Sequence, residues 1–366
     1  MIFVTGGTGF VGQEVIRELL ARGHRVRVLA RHPERAVDLK KHPGIEIVQG
    51  DVLKPETLAA AMSGAQAVIH LIGIIAETSR VTFQQAHTEA TRNVLAAAKQ
   101  AGVTRYIQMS AAGTRAGARS RYHITKWEAE ELVRQSGLDW TIFRPSLIYG
   151  YDERDRLLNL LRRALSWPFD LIQLHTFPLL NGGRALIRPV SVREVAHCFA
   201  RAVSSEVAIG QTYELVGPVA FSWREMVIKV ARALGKSVIL HEKIALALFT
   251  RLLLWLVTLL MPVGVIAGLA TGKLSLSEAE IFIGLGIVLL VAAIRWKKLI
   301  IYNIPSGLLL RIARMFEVVA PPGLQFGEQV KMAEEDNVGD PLPASHAFAY
   351  EPESFEQGVA RLLERL

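Results

Sequence analysis

Tyr122 and Lys126 form a Tyr-x-x-x-Lys pair within the segment YHITK. On a helix this spacing puts the phenol and the ammonium on one face. An ammonium beside a phenol is expected to lower its pKa, so that the phenol gives or takes a proton at a carbonyl oxygen during a hydride transfer. Ser110 lies just upstream, at the end of a strand-like run, where its hydroxyl can bond the same oxygen. The spacing alone recurs by chance in ordinary compositions. Its place after a strand, on the next helix and behind a serine, gives it weight.

A second constellation opens the chain. Met1–Thr5 is a short apolar run, followed at once by Gly6, Gly7, Gly9 and Gly12 and then by the helical pattern Val11–Ala21. Strand, glycine turn and helix in that order suit a pyrophosphate: glycines permit a tight turn and close approach, and the helix start presents free N–H groups. A glycine-rich surface turn would lack that flanking context. Gly6, Gly9, Phe10, Val11 and Gly12 are therefore expected to bind a dinucleotide. The second strand ends in Leu29-Ala30-Arg31-His32, with no acidic side chain for a ribose 2′-hydroxyl. A guanidinium at Arg31 would pair with a 2′-phosphate, which favours NADP(H) over NAD(H); the plain alternative is a solvated strand-end charge. Asp51 and Val52, behind the third strand, and Leu71, in the fourth, are the other residues expected against the cofactor. His70 ends the fourth strand and reads as packing. Asn93 either fixes backbone near the site or is a helix-surface amide.

The elements that must position these residues follow a regular rhythm. Arg25–Ala30, Ile45–Val48, Ala67–Ile72, Arg105–Met109 and Trp140–Phe143 are mostly continuous apolar runs, as in a parallel sheet covered on both faces. Helical runs lie between them at Pro55–Met62, Thr82–Ala101 and Lys126–Gln135, with Gly102, Gly137 and Gly235 where helices should end. This is an α/β fold, a Rossmann-type doubly wound parallel sheet. After residue 150 the rhythm loosens into helices at Val192–Val203 and Trp223–Leu234 and strand-like pieces at Ala185–Arg188 and Thr212–Leu215, where a smaller substrate lobe is expected.

The single cysteine, Cys198, excludes a disulfide framework and reads as a buried thiol within a helix. The histidines show no HExxH or paired helical spacing, so no metal site is expected. A net charge of +8 points to an anionic neighbour, and a mean hydropathy of +0.27 favours lipid over nucleic acid. Basic residues are dispersed, with no aromatic-interleaved patch, which also argues against nucleic acid.

Leu252–Ala270 carries no charge and is long enough to span a hydrocarbon core. Ile281–Ile294 is a shorter uncharged run. Lys243 and Arg251 precede the first, while Arg295, Lys297 and Lys298 follow the second, with Trp255, Trp296 and Tyr302 near the ends. Basic outer ends are what the positive-inside rule asks of an inserted transmembrane hairpin whose termini face the cytoplasm; the alternative is a hydrophobic hairpin buried in an interface. The expected domains are 1–243, 244–303 for the hairpin and 304–366 for a tail. The tail holds amphipathic runs at Leu308–Val319 and Pro352–Leu366. No signal peptide is expected ahead of the first strand. The expected location is the cell inner membrane, with the soluble domain facing the cytoplasm and membrane lipid as a partner.

TGGTGFVG, Asp51-Val52, Ser110, YHITK and Arg144-Pro145-Ser146 together resemble the short-chain dehydrogenase/reductase superfamily in its extended or atypical branch. The resemblance covers residues 1–243. It implies that Ser110, Tyr122 and Lys126 are catalytic, that Lys126 also holds the nicotinamide ribose, and that Pro145 passes beside the nicotinamide. The segment QVKMAEEDNV, Gln329–Val338, resembles the nucleotide-binding accessory subunit family of respiratory complex I and its bacterial relatives. That subfamily commonly binds NADPH without a demonstrated turnover, and the insertion at 244–303 departs from the usual pattern. Two expectations follow. One is hydride transfer to or from a carbonyl or alcohol of a lipophilic substrate. The other is a non-catalytic NADPH-binding accessory or assembly role beside subunits of a membrane respiratory complex.

Overall fold

The computed structural model describes residues 1–150, 176–235, 237–241, 298–305, 307 and 326–364. Seven parallel strands form the main sheet: β1 (Ile2–Thr5), β2 (Val26–Ala30), β3 (Ile45–Gln49), β4 (Ala67–His70), β5 (Arg105–Met109), β6 (Asp139–Pro145) and β7 (Gln211–Leu215). Their order is β3-β2-β1-β4-β5-β6-β7. The order reverses between β1 and β4, the position at which a doubly wound sheet opens a ligand crevice at its carboxyl edge.

The continuous apolar runs work as expected, because alternate residues feed opposite faces. Ile2, Val4 and Val28 join one core with α1 (Phe10–Ala21), α4 (Val192–Ala202) and α6 (Leu342–Phe348). Phe3, Leu29 and Val68 join the other with α2 (Ala90–Gln100) and Val133 of α3 (Arg121–Arg134). Cys198 is fully buried in the first core. Gly102, Gly137 and Gly235 all take the positive φ of a left-handed helix stop.

Several boundaries differ from the sequence pattern. The helix α3 starts at Arg121 rather than Lys126, because the Ser120 hydroxyl accepts the His123 N–H and caps it there. The expected helix Thr82–Ala101 begins as a π turn, Gln84–Glu89, before α2. The run Pro55–Met62 breaks into two short turns; the Thr57 hydroxyl bonds the Lys54 carbonyl instead of leaving it to a helix.

The chain divides into two compact units, one of residues 1–158, 184–223 and 307–366, the other of 159–183 and 224–306. The sequence set residues 304–366 apart as a tail; 307–366 belong with the Rossmann sheet. Within them lie α5 (Phe326–Glu334), α6 and α7 (Phe355–Leu363), the last realising the amphipathic run at the C-terminus behind a Ser354/Gln357 capping box. In the second unit Lys298–Ile304 pairs in parallel between Ser237–His241 and Thr176–Leu180.

That strand corrects one end of the expected hairpin. Leu299-Ile300-Ile301-Tyr302, with two β-branched residues and an aromatic one, extends as sheet, so Tyr302 lies in a strand rather than at the end of a helix. Leu252–Ala270, Ile281–Ile294 and Leu308–Val319 lie outside the described residues. Among the described residues no helix is long and apolar enough to cross a membrane.

Candidate active site

The glycine turn between β1 and α1 is sterically closed to side chains. Gly6 has a φ of +76°, and a Cβ on Gly12 would lie 2.2 Å from the Gly6 carbonyl oxygen. Gly9 caps α1 without a side-chain acceptor, and no acidic residue occupies the first turn. The helix therefore presents its first N–H groups and positive end unopposed, as an anionic pyrophosphate requires. Phe10 and Val11 are half-buried beside this turn, and the Phe10 ring reaches Gly150.

The remaining expected cofactor residues line up along the same carboxyl edge. Arg31 is exposed directly behind β2, and Leu71 is buried directly behind β4, packed over Gly6. Behind β3, the Asp51 carboxylate accepts the Leu53 N–H at 3.0 Å and closes the turn. The Asn93 amide donates to the Val52 carbonyl at 2.9 Å, so Asn93 braces this loop rather than facing solvent.

The residues with chemistry converge at the ends of β5 and α3. Ser110 is buried against the end of β5, and its hydroxyl has no hydrogen-bond partner among the described residues. Tyr122 sits in the first turn of α3 and Lys126 one turn later. The Lys126 ammonium donates to the Met109 carbonyl at 3.1 Å, which ties its helix to the residue preceding Ser110. Burial lowers the Lys126 pKa from 10.5 to about 8, although Glu130 opposes this. Tyr122 departs from the sequence expectation. Its phenol is not lowered by the ammonium; burial pushes it up to about 12, leaving it protonated near neutrality.

Pro145 ends β6, where its carbonyl accepts the Ala112 N–H at 2.9 Å and holds the strand ends together. Its neighbour Arg144 turns to buried Glu130 in a two-point ion pair of 2.8 and 2.6 Å, and Arg134 joins the same carboxylate. The Trp127 ring lies 4.9 Å from the Arg134 guanidinium carbon and 5.9 Å from that of Arg144. This cluster fixes α3 against β6.

Sequence reasoning placed His70 but missed its Thr5 partner, His87 and Gly73. Thr5 and His70 are paired across β1 and β4, with Thr5 Oγ1 2.6 Å from His70 Nδ1. Burial, with Lys126 adding to it, lowers the His70 pKa to about 3, and its Nε2 has no partner. His87, in the π turn, lies 2.8 Å from the Thr125 hydroxyl. That hydroxyl also reaches the Arg121 and Tyr122 carbonyls, and His87 Nε2 lies 3.2 Å from the Ile74 nitrogen and 3.1 Å from the Ile74 carbonyl oxygen. The rings of Phe83, His87 and His123 surround Tyr122 edge-on. Gly73 was also missed: a Cβ there would lie 2.9 Å from Lys126 Nζ. No periodicity signals any of these, because each depends on a partner brought in by the sheet.

The arrangement can cradle a dinucleotide along one edge and present a protonated phenol, an ammonium and a free hydroxyl at its end. Residues 6–161 match a family model described as NAD(P)H-binding. The chain is 32% identical over 229 residues to the mitochondrial NADH dehydrogenase (ubiquinone) 1 alpha subcomplex subunit 9 of Arabidopsis thaliana, across 61% of this chain and 55% of that protein. It is 31% identical over 243 residues to a (4-alkanoyl-5-oxo-2,5-dihydrofuran-3-yl)methyl phosphate reductase of Streptomyces griseus, across 66% and 77% of the two chains. The chain spans about half to three fifths of the length of three of the curated relatives that it matches, the Arabidopsis subunit among them. The fold is that of the NADPH-complexed quinone oxidoreductase QOR2 of Escherichia coli, with a TM-score of 0.65 at 18% identity over 99% of this chain and 100% of that one.

Proposed function

The chain belongs to the NAD(P)-binding Rossmann proteins of the extended short-chain dehydrogenase/reductase type, and on that premise we propose that it is an NADP(H)-dependent reductase of a lipophilic carbonyl compound. The observation that carries this reading is the unpartnered Ser110 hydroxyl, buried beside the Lys126–Met109 tether and the helix turn of Tyr122. A buried hydroxyl without a partner is costly unless a ligand supplies one. NADPH, which the β1–α1 glycine turn and Lys126 would hold, would supply the hydride for the carbonyl carbon. Tyr122 gives its phenol proton to the carbonyl oxygen, Ser110 donates a hydrogen bond to that oxygen, and Lys126 holds the ribose. The product is the alcohol. A phenol kept protonated up to about 12 suits the reducing direction, in which it acts as the acid.

Membrane lipid as the neighbour, and the inner membrane with the soluble domain facing the cytoplasm as the location, remain part of the proposal. They rest on the uncharged run Leu252–Ala270 and its basic flanks. The test is direct. Purified protein should retain NADPH and consume it with a quinone or long-chain ketone added in detergent; retention without consumption by any such acceptor rejects the reductase reading.

The cofactor preference is a separate prediction. Exposed Arg31 stands where a 2′-phosphate would be received. Arg31→Ala should weaken NADPH binding by about tenfold and leave NADH binding within about twofold, measured by nucleotide fluorescence. Equal losses for both nucleotides would remove Arg31 from that role.

A second reading has its own support. The Lys126 ammonium is spent on a main-chain carbonyl and the phenol is raised rather than activated, and a relative at 32% identity is a complex I subunit. On this reading NADPH holds the fold by mass action in an accessory or assembly subunit. A Tyr122→Phe variant that keeps its cellular role, and co-purifies with membrane oxidoreductase subunits, favours it.

A further inference from the structure

The helix that carries Tyr122 and Lys126 does not close its own beginning. The Ser120 hydroxyl accepts the His123 N–H. The N–H groups of Arg119 and Ser120 are both accepted by Glu335 Oε1 at 3.2 Å, and that of Arg121 by Glu328 Oε2 at 2.6 Å. Both glutamates are buried, and both come from α5 and the residue following it, far along the chain. Arg115 pairs with the second oxygen of Glu335 at 3.0 Å, and Lys331 with the second oxygen of Glu328 at 2.8 Å.

The same segment then crosses the carboxyl edge of the sheet. The Asp336 carbonyl lies over Gly113, where a Cβ would meet it at 3.3 Å and the His123 ring at 3.4 Å. The Asn337 carbonyl accepts from the Ser146 hydroxyl at 2.8 Å and from the Arg188 N–H at 3.2 Å. On the opposite side of the helix start, the Arg121 guanidinium pairs with buried Glu77 at 3.1 Å, and Glu77 accepts the Phe83 N–H at 2.8 Å. Phe83 and His87 are the rings that face Tyr122. The start of α3 is therefore tied both to Glu77 and to residues 328–337, while the Tyr122 ring itself packs against Phe83, His87 and His123.

We propose that Glu335, with Glu328, is a positioning residue: its carboxylate fixes the first turn of α3 and thereby sets where the Tyr122 phenol meets the substrate oxygen. The charge of each carboxylate opposes the positive end of the helix, and each acceptor satisfies N–H groups that would otherwise be orphaned. Because Tyr122 is the second residue of α3, any loosening of that turn moves the phenol first. Lys126 is anchored a turn later through Met109 and is held independently. The β1–α1 glycine turn, expected to receive the pyrophosphate, is not among the groups this segment touches in these contacts.

This inference rests on the reductase reading, so its test carries a readout that needs no turnover. Glu335→Ala, Glu335→Gln and each of these in a Tyr122→Phe background are compared for NADPH consumption, NADPH affinity and phenol ionisation. Ionisation is read as the ultraviolet difference between each Tyr122 protein and its phenylalanine partner. Glu335→Ala should lower kcat by about ten- to a hundredfold with NADPH affinity within about twofold. Glu335→Gln, which keeps an acceptor oxygen, should recover kcat to within about threefold of wild type. The alanine change should add nothing once Tyr122 is phenylalanine. If the wild type consumes no NADPH, the reductase reading fails, and the phenol still decides the positioning role: its titration should move below about 12 in the alanine variant and return in the glutamine variant. Unchanged ionisation and unchanged kcat in Glu335→Ala overturn the inference. So does a joint loss of NADPH affinity and kcat that glutamine does not restore, since that is the mark of general structural damage.

Discussion

Tyr122→Phe is expected to lower turnover of NADPH by about 10²- to 10⁴-fold while leaving NADPH affinity within about twofold. The asymmetry follows from where the hydroxyl lies. The ring is held by Phe83, His87 and His123 whether or not the oxygen is present, so the fold and the nucleotide edge keep their shape. Only the proton delivered to the carbonyl oxygen is lost, and that loss is felt in the transition state. Ser110→Ala should reduce kcat in the same direction by about ten- to a thousandfold. It should not lower thermal stability, because the hydroxyl it removes has no partner to leave behind. Stopped-flow consumption of NADPH, fluorescence titration and thermal unfolding separate the three quantities. A Tyr122→Phe protein that turns over normally would transfer the phenol to a packing role and favour the accessory-subunit reading.

The parts of the molecule that were readable in the sequence are those whose chemistry is local. The glycine turn needs Gly6 and Gly12 because a Cβ meets backbone within the same turn. The parallel strands carry mostly continuous apolar runs because both faces are covered, as Ile2, Phe3 and Val4 show by feeding two cores in alternation. Ser110, Tyr122 and Lys126 were legible by type and order. The behaviour of Tyr122 was not. Its pKa depends on burial among rings from the π turn, which pattern cannot foresee, and so the expected direction was reversed.

Partners separated in sequence stayed hidden for the same reason. Glu130 reads as an ordinary helix-face acid, yet it is buried between two arginines, one of them on β6. Glu328 and Glu335 read as charges in an acidic tail, yet they cap the helix of the candidate site. Basic and uncharged stretches after residue 243 gave a membrane reading from composition. The strand at Lys298–Ile304 bears only on the last residues of the expected hairpin, since Leu252–Ala270 and Ile281–Ile294 lie outside the described residues.

Lys126→Met should make the nucleotide-free protein more stable and the nucleotide-bound protein less so. In the fold the ammonium is buried and donates to the Met109 carbonyl, and burial lowers its pKa from 10.5 to about 8. The folded state thus binds this proton less readily than the unfolded chain. Below about pH 8 the full penalty is present, and it is relieved as pH rises from about 8 to 10.5. A gap of that size corresponds to about 3 kcal/mol. Methionine fills similar space without a charge, at the cost of about 1–3 kcal/mol for leaving the Met109 carbonyl unpaired. The net expectation is a rise of a few degrees in the Tm of the free protein near pH 7, with the upward slope of wild-type stability between pH 8 and 10.5 abolished. NADPH affinity should fall by about ten- to a hundredfold, because the charge-assisted bonds to the ribose are gone. Thermal unfolding across pH, with and without NADPH, checks both signs at once. A variant less stable than wild type at pH 7 without nucleotide would mean that the ammonium supports the fold, and that its burial is a structural feature rather than a strain held for the cofactor.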